Sequence, residues 1–190
     1  WKDRPELPSK PLFLHPEQYA GASAKDRIES VRLRLRNQGA NATIITMIDE
    51  LAWVFNIRGN DVAYNPVAVA FGYIGEREAF LFVNPQKVRA DVRTYLEQNG
   101  VTLRDYTELD AFIVALSADV RLLIDSKRIT YHLHSLIPSH CRQIPGVSAL
   151  TQLKAIKNEV EIGHLRQVMA RDGVALTRFF KWLEESLQRG

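Results

Sequence analysis

Asn56-Ile57-Arg58-Gly59-Asn60-Asp61, followed by Tyr64-Asn65-Pro66-Val67, is the stretch on which the reading of this chain turns. It is dense in turn formers and polar side chains and lies between a short helical pattern and a β-branched run, so it joins a helix to a strand. Gly59 is expected at positive φ. An Arg three residues before an Asp can fold back as a paired fork. Two readings follow. Asn56, Arg58 and Asp61 can form a polar rim for a ligand carboxylate, or Arg58 and Asp61 can neutralise each other in a self-satisfied turn; the second reading is favoured because the charges are balanced within the stretch.

On the N-terminal side of this stretch, Asp49 is expected to cap a short helix through Phe55, preceded by a buried strand over Ala42 to Ile48. Further back, Ser23 and Asp26 offer an N-cap with an acidic first turn and Gly39 a stop, framing a helix with Ile28, Val31 and Leu35 on its buried face. Val31, Leu33 and Leu35 also alternate with Arg32, Arg34 and Arg36 as a strand would, which would line up three arginines for phosphate binding. The caps favour the helix. Residues 1 to 22, with Pro5, Pro8, Pro11 and Pro16, read as an extended linker from an upstream domain. Because the chain opens on Trp1, it is expected to be part of something longer.

On the C-terminal side, Val67 to Ile74 and Ala79 to Val83 flank Gly75-Glu76-Arg77-Glu78 as a hairpin. A helix over Gln86 to Asn99, a strand over Val101 to Leu103, a helix over Glu108 to Leu116 and a strand over Arg121 to Asp125 follow. A hairpin followed by alternating strands and helices predicts an α/β layer with a mixed sheet over residues 23 to 147. From Ser148 the strand signal ends. Asn158 and Glu161 form an N-x-x-E capping box, and Leu165, Val168, Met169, Leu176, Phe179, Phe180, Leu183 and Leu187 recur at helical spacing for about 30 residues. A helix of that length is expected to belong to a second domain, residues 148 to 190.

Composition sets outer limits. The chain has 190 residues, 46% hydrophobic and 25% charged, with a net charge of +3, which excludes collagenous, disordered and disulfide-scaffold classes and selects no partner. A single cysteine, Cys141, and apolar runs far short of about 20 residues suggest a cytoplasmic protein with no membrane segment. His132 and His134 would share a strand face near His140 and Cys141, but with no nearby carboxylate except Asp125 they read as ordinary connection residues rather than metal ligands. Cys141 beside His140 is no evidence of a dyad. Glu161 and His164 form one E-x-x-H pair where a di-metal bundle needs two copies and further glutamates, so Glu161 reads as a cap. No Gly-rich phosphate loop is present, and Asn41-Ala42-Thr43 reads as a chance glycosylation match leading into a buried strand.

The chain resembles the middle domain of three-domain Xaa-Pro aminopeptidases, the aminopeptidase P group of creatinase-like metallopeptidases. The resemblance is carried by Trp1-Lys2-Asp3-Arg4-Pro5, Tyr19-Ala20-Gly21, Asp49-Glu50-Leu51-Ala52-Trp53, Asn56-Ile57-Arg58-Gly59 with Asp61, Tyr64-Asn65-Pro66-Val67 and Leu81-Phe82. Lys157-Asn158 with Glu161, Arg171-Asp172-Gly173-Val174-Ala175-Leu176 and Trp182-Leu183 resemble the opening helices of that family's catalytic domain. Asn60 departs from the family's serine. The resemblance implies a creatinase N-terminal-like three-layer fold with a ribonuclease H-like mixed sheet. It also implies a full-length enzyme that removes the residue before a penultimate proline, using two divalent metals, commonly manganese, held by two Asp, one His and two Glu that lie outside this stretch. Separately, the apolar stripe that includes Phe179, Phe180 and Leu183 is expected to pair two copies of the chain as a homodimer. No cofactor, metal ligand or catalytic residue is assigned to the chain itself. Two other readings stand beside it: a catalytically dead relative that binds proteins, as a histone chaperone subunit of the same fold does, and, more weakly, a nucleic-acid-binding domain.

Overall fold

The computed structural model describes residues 2, 3 and 5 to 189; Trp1 and Arg4 of the motif quoted above lie outside them. In chain order the elements are β1 (Phe13–Leu14), α1 (Glu17–Ala20), α2 (Ala24–Asn37), β2 (Ala42–Ile45), α3 (Ile48–Val54), β3 (Ile57–Arg58), β4 (Phe71–Ile74) and β5 (Ala79–Phe82). These are followed by α4 (Ala90–Gln98), β6 (Thr102–Arg104), α5 (Leu109–Val114), β7 (Arg121–Ile124), α6 (Tyr131–Leu136), β8 (Arg142–Pro145), α7 (Ala149–Ala155) and α8 (Glu159–Gln188). Six strands form one sheet in the order β6-β5-β4-β2-β7-β8. β4 runs antiparallel to both its neighbours, and the other pairings are parallel. This is the mixed sheet that the hairpin and the later strand-helix alternation imply.

The two-residue period of the strands builds a core on each face. Ile45, Ile74, Leu81 and Leu123 point to one side, where they meet Ile28, Val31 and Leu35 of α2, Leu51 of α3, Val92 and Leu96 of α4 and Leu150 of α7. Tyr73, Phe82, Leu122 and Ile124 point to the other, against Leu109 and Ile113 of α5 and Leu133 of α6. The result is three layers. Tyr73, Phe80 and Phe82 also enclose Phe112, with ring centroids 4.8 to 5.3 Å from it, so the second core is largely aromatic.

Several boundaries differ from the sequence reading, each for a local reason. The helix reading of 24–37 holds: Ser23 caps the Asp26 amide and Asp26 returns to the Ser23 amide, so Arg32, Arg34 and Arg36 are spread around a cylinder. Met47, not Asp49, is the N-cap of α3; Asp49 sits in its first turn and pairs with Lys154. The strand expected from Val67 begins only at Phe71, because residues 61 to 69 fold around Asp61, whose amide donates to the Val67 carbonyl at 3.2 Å. The helix expected from Gln86 starts at Ala90, after a 3-10 turn over Pro85–Lys87 capped by Asn84. The lead-in is not a free linker to residue 22, since Leu12 is fully buried and β1 pairs antiparallel with β3. Likewise α7, placed with the second domain, packs into the first, with Ala149 and Leu150 in its core. The change in packing falls instead at α8, in which no residue is buried.

Gly59 is required, but not for positive φ, which is found instead at Asn56 (51°) and Tyr64 (62°). A Cβ on Gly59 would lie 2.8 Å from the Ala68 Cβ and 3.2 Å from the Val67 carbonyl oxygen, in a place where backbone would have to move. Gly59→Ala is therefore expected to destabilise the chain by about 1–3 kcal/mol. Gly59→Asn, which tolerates positive φ, should be no better. Urea unfolding of both variants checks this; a parent-like Asn variant would return the explanation to φ.

Candidate functional site

The Asn56–Asp61 stretch does not form a single rim. Asn56 is fully buried, and its amide donates to the Ala22 carbonyl at 2.8 Å and the Tyr95 hydroxyl at 3.0 Å. Arg58 is half-buried and turns back, its Nη1 donating to the carbonyls of Ala52 (2.6 Å) and Ile57 (2.9 Å), where it satisfies an end of α3. Asp61 does not pair with Arg58. It forms a buried ion pair with Lys87, both side chains being about 1% exposed or less, and accepts from the Val69 amide at 2.6 Å. The reading of Arg58 and Asp61 as mutual partners is thus overturned: Arg58, at the end of β3, turns back onto the Ala52 carbonyl of α3, and Lys87, 26 residues further along the chain, takes Asp61.

What Asn56 joins is a hub that sequence reasoning missed. Arg27 on α2 is 4% exposed, and its guanidinium donates to the carbonyls of Ala20 (2.6 Å) and Trp53, to Asn56 Oδ1 (3.0 Å) and to Glu161 Oε1 (3.0 Å). It also lies 4.6 Å over the Trp53 ring. Glu161 serves twice, since its Oε2 accepts from the Asn158 amide in the capping box of α8 while Oε1 meets Arg27. Asn158 in turn donates to the Ala20 carbonyl at 2.8 Å. Gly21, at φ 70°, makes room for it: a Cβ there would lie 2.8 Å from the Asn158 Cγ. The missed signal was positional, for Arg27 stands four residues before Val31, on the edge of the buried stripe of α2.

Beside the hub, His15, Tyr19 and His164 cluster, with ring centroids 6.1 Å and 5.2 Å apart from His15 to Tyr19 and Tyr19 to His164. Burial lowers the pKa of His15, and the charges of Arg58 and Arg27 lower it further, against the opposing pull of Glu161. Burial likewise lowers the pKa of Arg27, opposed by Glu161.

The histidine candidates are dispersed. His132 and His134 lie on helix α6, not a strand, because Thr130 caps it, so residues two apart point to different sides. His132 pairs with Asp110 at 2.7 Å, His134 meets Gln143 at 3.0 Å, and His140 meets the Leu116 carbonyl at 2.7 Å. Burial, then the charge of Asp119, raises the pKa of the Cys141 thiol, which disfavours the thiolate. Among the described residues there is no group of three or more His, Cys, Asp or Glu placed to hold a metal. Glu161 does not fit a metal with His164, since both its oxygens are engaged and His164 Nε2 lies 3.2 Å from the Gln18 carbonyl.

The site thus consists of a three-layer domain with a mixed sheet, joined by the Arg27–Glu161 brace to the first turn of an outgoing helix. The chain belongs to the Creatinase/Prolidase N-terminal domain family, whose family model matches residues 3–161. It is 35% identical to a probable Xaa-Pro aminopeptidase P of Sordaria macrospora over 98% of its own length and 32% of that protein's. It is 31% identical to aminopeptidase P1 of Arabidopsis thaliana over 99% of its length and 33% of that protein's. The chain spans about a third of the length of the curated relatives it matches. In structure it superposes on X-prolyl aminopeptidase from Caenorhabditis elegans, described as a cytosolic enzyme with a di-nuclear active site, with a TM-score of 0.92 and 27% identity, covering 100% of this chain and 32% of that one. The N-terminal domain of the FACT complex subunit SPT16 from chickpea shares the fold alone, with a TM-score of 0.58 and 11% identity over 86% of this chain and 46% of that one.

Removing the hub cation should cost more than an ordinary surface change. Arg27→Met leaves the Glu161 charge without its counter-ion and takes a donor from Asn56 Oδ1 and the carbonyls of Ala20 and Trp53, for an expected loss of about 3 kcal/mol in unfolding free energy. Arg27→Lys keeps the charge but not the fork, and should fall nearer the Met variant than the parent in denaturant titration.

The shift at His15 gives a signed pH effect. Its folded pKa lies below the unfolded value of 6.5, so the unfolded chain takes up the proton first and stability falls as pH drops through the window just below 6.5. His15→Gln should flatten that part of the stability-pH curve. A variant with the same slope as the parent would assign the acid sensitivity to other groups.

Proposed function

We propose that this chain is the non-catalytic middle domain of a metal-dependent Xaa-Pro aminopeptidase, together with the opening helix of its catalytic domain. The observation that carries the reading is that the likeness runs through α8 as well as the sheet: the aminopeptidases align over 98% or more of the chain. A lone binding module would not need α8. This 30-residue helix, about 45 Å long, leaves the domain with Met169, Phe180 and Trp182 each 60% or more exposed and with no buried residue. Such a stripe is built to be covered. The protein-binding alternative draws on a likeness of fold only, and the arginine alternation behind a nucleic-acid reading is dispersed around α2.

In this reading the parent enzyme releases the residue that precedes a proline, working in the cytoplasm as its nematode counterpart is described to do. Two divalent metals, with manganese the expected identity, would be held by residues outside this stretch and would supply an activated water and a polarised carbonyl for the tertiary amide. The part played by this chain is mechanical. The sheet anchors α2, Arg27 locks Glu161 and the first turn of α8 to α1, and the catalytic domain begins from a fixed direction. No helix among the described residues is long and apolar enough to cross a membrane.

The test is expression of the complete protein beside the 190-residue chain, each assayed with an Xaa-Pro peptide and manganese. Release of the first residue by the complete protein and none by the chain is expected; chelator-sensitive turnover by the chain alone would overturn the assignment. Without its cover, the α8 stripe should pair with that of a second copy, since each large side chain left in water forfeits roughly 1.5–3 kcal/mol. Light scattering should find a concentration-dependent dimer, and a monomer after truncation at Ile156.

A further inference from the structure

A groove of about 660 Å³ runs between the first turns of α8 and the β1–α1 segment, with His15, Tyr19, Arg58, His164, Val168 and Arg171 on its walls. Glu161 is the one carboxylate on those walls, and its two oxygens are engaged by Arg27 and the Asn158 amide. Arg58 uses only Nη1, on two backbone carbonyls, and among the described residues no carboxylate lies within ion-pair distance of it. Arg171 likewise makes no ion pair among the described residues. The charges therefore do not balance. Two desolvated guanidinium groups, Arg27 and Arg58, share a single carboxylate, and the excess faces an open groove to which α8 adds Arg171.

A second observation points the same way. Beyond burial, the charges of Arg58 and Arg27 depress the pKa of His15 on the groove wall, and that of Glu161 opposes them. Nearby acids give no relief, since Asp49 is held by Lys154 and Glu17 accepts from the Tyr95 hydroxyl at 3.2 Å. The opposite wall is apolar and aromatic, with Tyr19 edge-on to His164 and Val168 beside them. A bare ion would use the charge and leave that wall unused.

We propose that this groove binds a carboxylate of a peptide chain, with the free edge of Arg58 receiving the carboxylate and the Tyr19–Val168 wall covering the residue that bears it. Guanidinium donors favour a carboxylate because the planar fork can give two parallel hydrogen bonds. The carboxylate can be a peptide's C-terminus or an Asp or Glu side chain. Only the choice of a peptide as the bearer rests on the peptidase reading; the carboxylate preference stands on the groove alone.

The 190-residue chain is titrated with four probes, following the imidazole NMR signals of His15 and His164. The probes are Ala-Pro-Ala-Leu with a free C-terminus, the same peptide as its C-terminal amide, Ala-Pro-Glu-Leu amide, and inorganic phosphate. The free acid is expected to shift both histidines and to bind about tenfold more tightly than its amide. Rescue of binding by the glutamate in the amide would identify a side-chain carboxylate as sufficient. Arg58→Lys should lower the affinity for the acid about tenfold and leave the weak binding of the amide unchanged; Arg171→Gln, at an exposed position, should lower it in the same sense and guards against loss of fold at Arg58. Equal binding of acid and amide, no histidine shift with any peptide, or phosphate binding more tightly than the peptide acid would each overturn the proposal. Failure of the complete protein to cleave an Xaa-Pro peptide would sink the peptidase reading while leaving a measured carboxylate preference intact.

Discussion

The buried guanidinium of Arg27 is the interaction on which the arrangement of this chain depends. Its two terminal nitrogens reach the end of α1, the end of α3 with the Asn56 turn just after it, and, 134 residues away, the first turn of α8. A cation 4% exposed would be costly on its own, and here it is offset by a carboxylate, an amide oxygen, two carbonyls and an indole face. Because the donors lie in one plane at fixed angles, the acceptors are fixed too. The direction in which α8 leaves the domain is set by this geometry more than by apolar packing.

The contrast between the two ends of the molecule follows from that. Around the sheet, two cores on opposite faces do the holding, and polar groups such as Glu50, with Ser148 donating to it at 3.1 Å and Arg128 3.5 Å away, close the gaps between helices. Along α8 the order is reversed. Polar contacts hold its first turns, and its apolar side chains face outward. α8 is thus a helix fixed at one end by a charge brace and unburied along its length.

Much of the fold was legible in the sequence because its signals are local. The Ser23–Asp26 and Asn158–Glu161 boxes mark helix starts within four residues, and the hairpin across Gly75 to Glu78 needs only two β-branched or aromatic runs and a polar break. The site was less legible. Arg58 and Asp61 look like partners at a spacing of three, yet Lys87, 26 residues away, takes Asp61, and the partner of Arg27 is 134 residues away. Oppositely charged side chains choose by proximity in space and by how deeply each is desolvated, and neither quantity is written in local spacing.

Composition, period and caps by themselves determined that this chain is an α/β domain with a mixed sheet followed by a long amphipathic helix, and motif density determined its family. These properties rest on backbone hydrogen bonding and on the alternation of apolar residues, which act over a few positions. Only the tertiary structure decided that Gly59 is needed for space rather than for φ, that α7 belongs with the sheet, and that His132 and His134 point apart. It also decided that Glu161 is both a helix cap and the counter-charge of Arg27. Each of these depends on which segments meet after the chain has closed on itself, where a single Cβ or an unpaired charge is judged against neighbours that the linear sequence places far away.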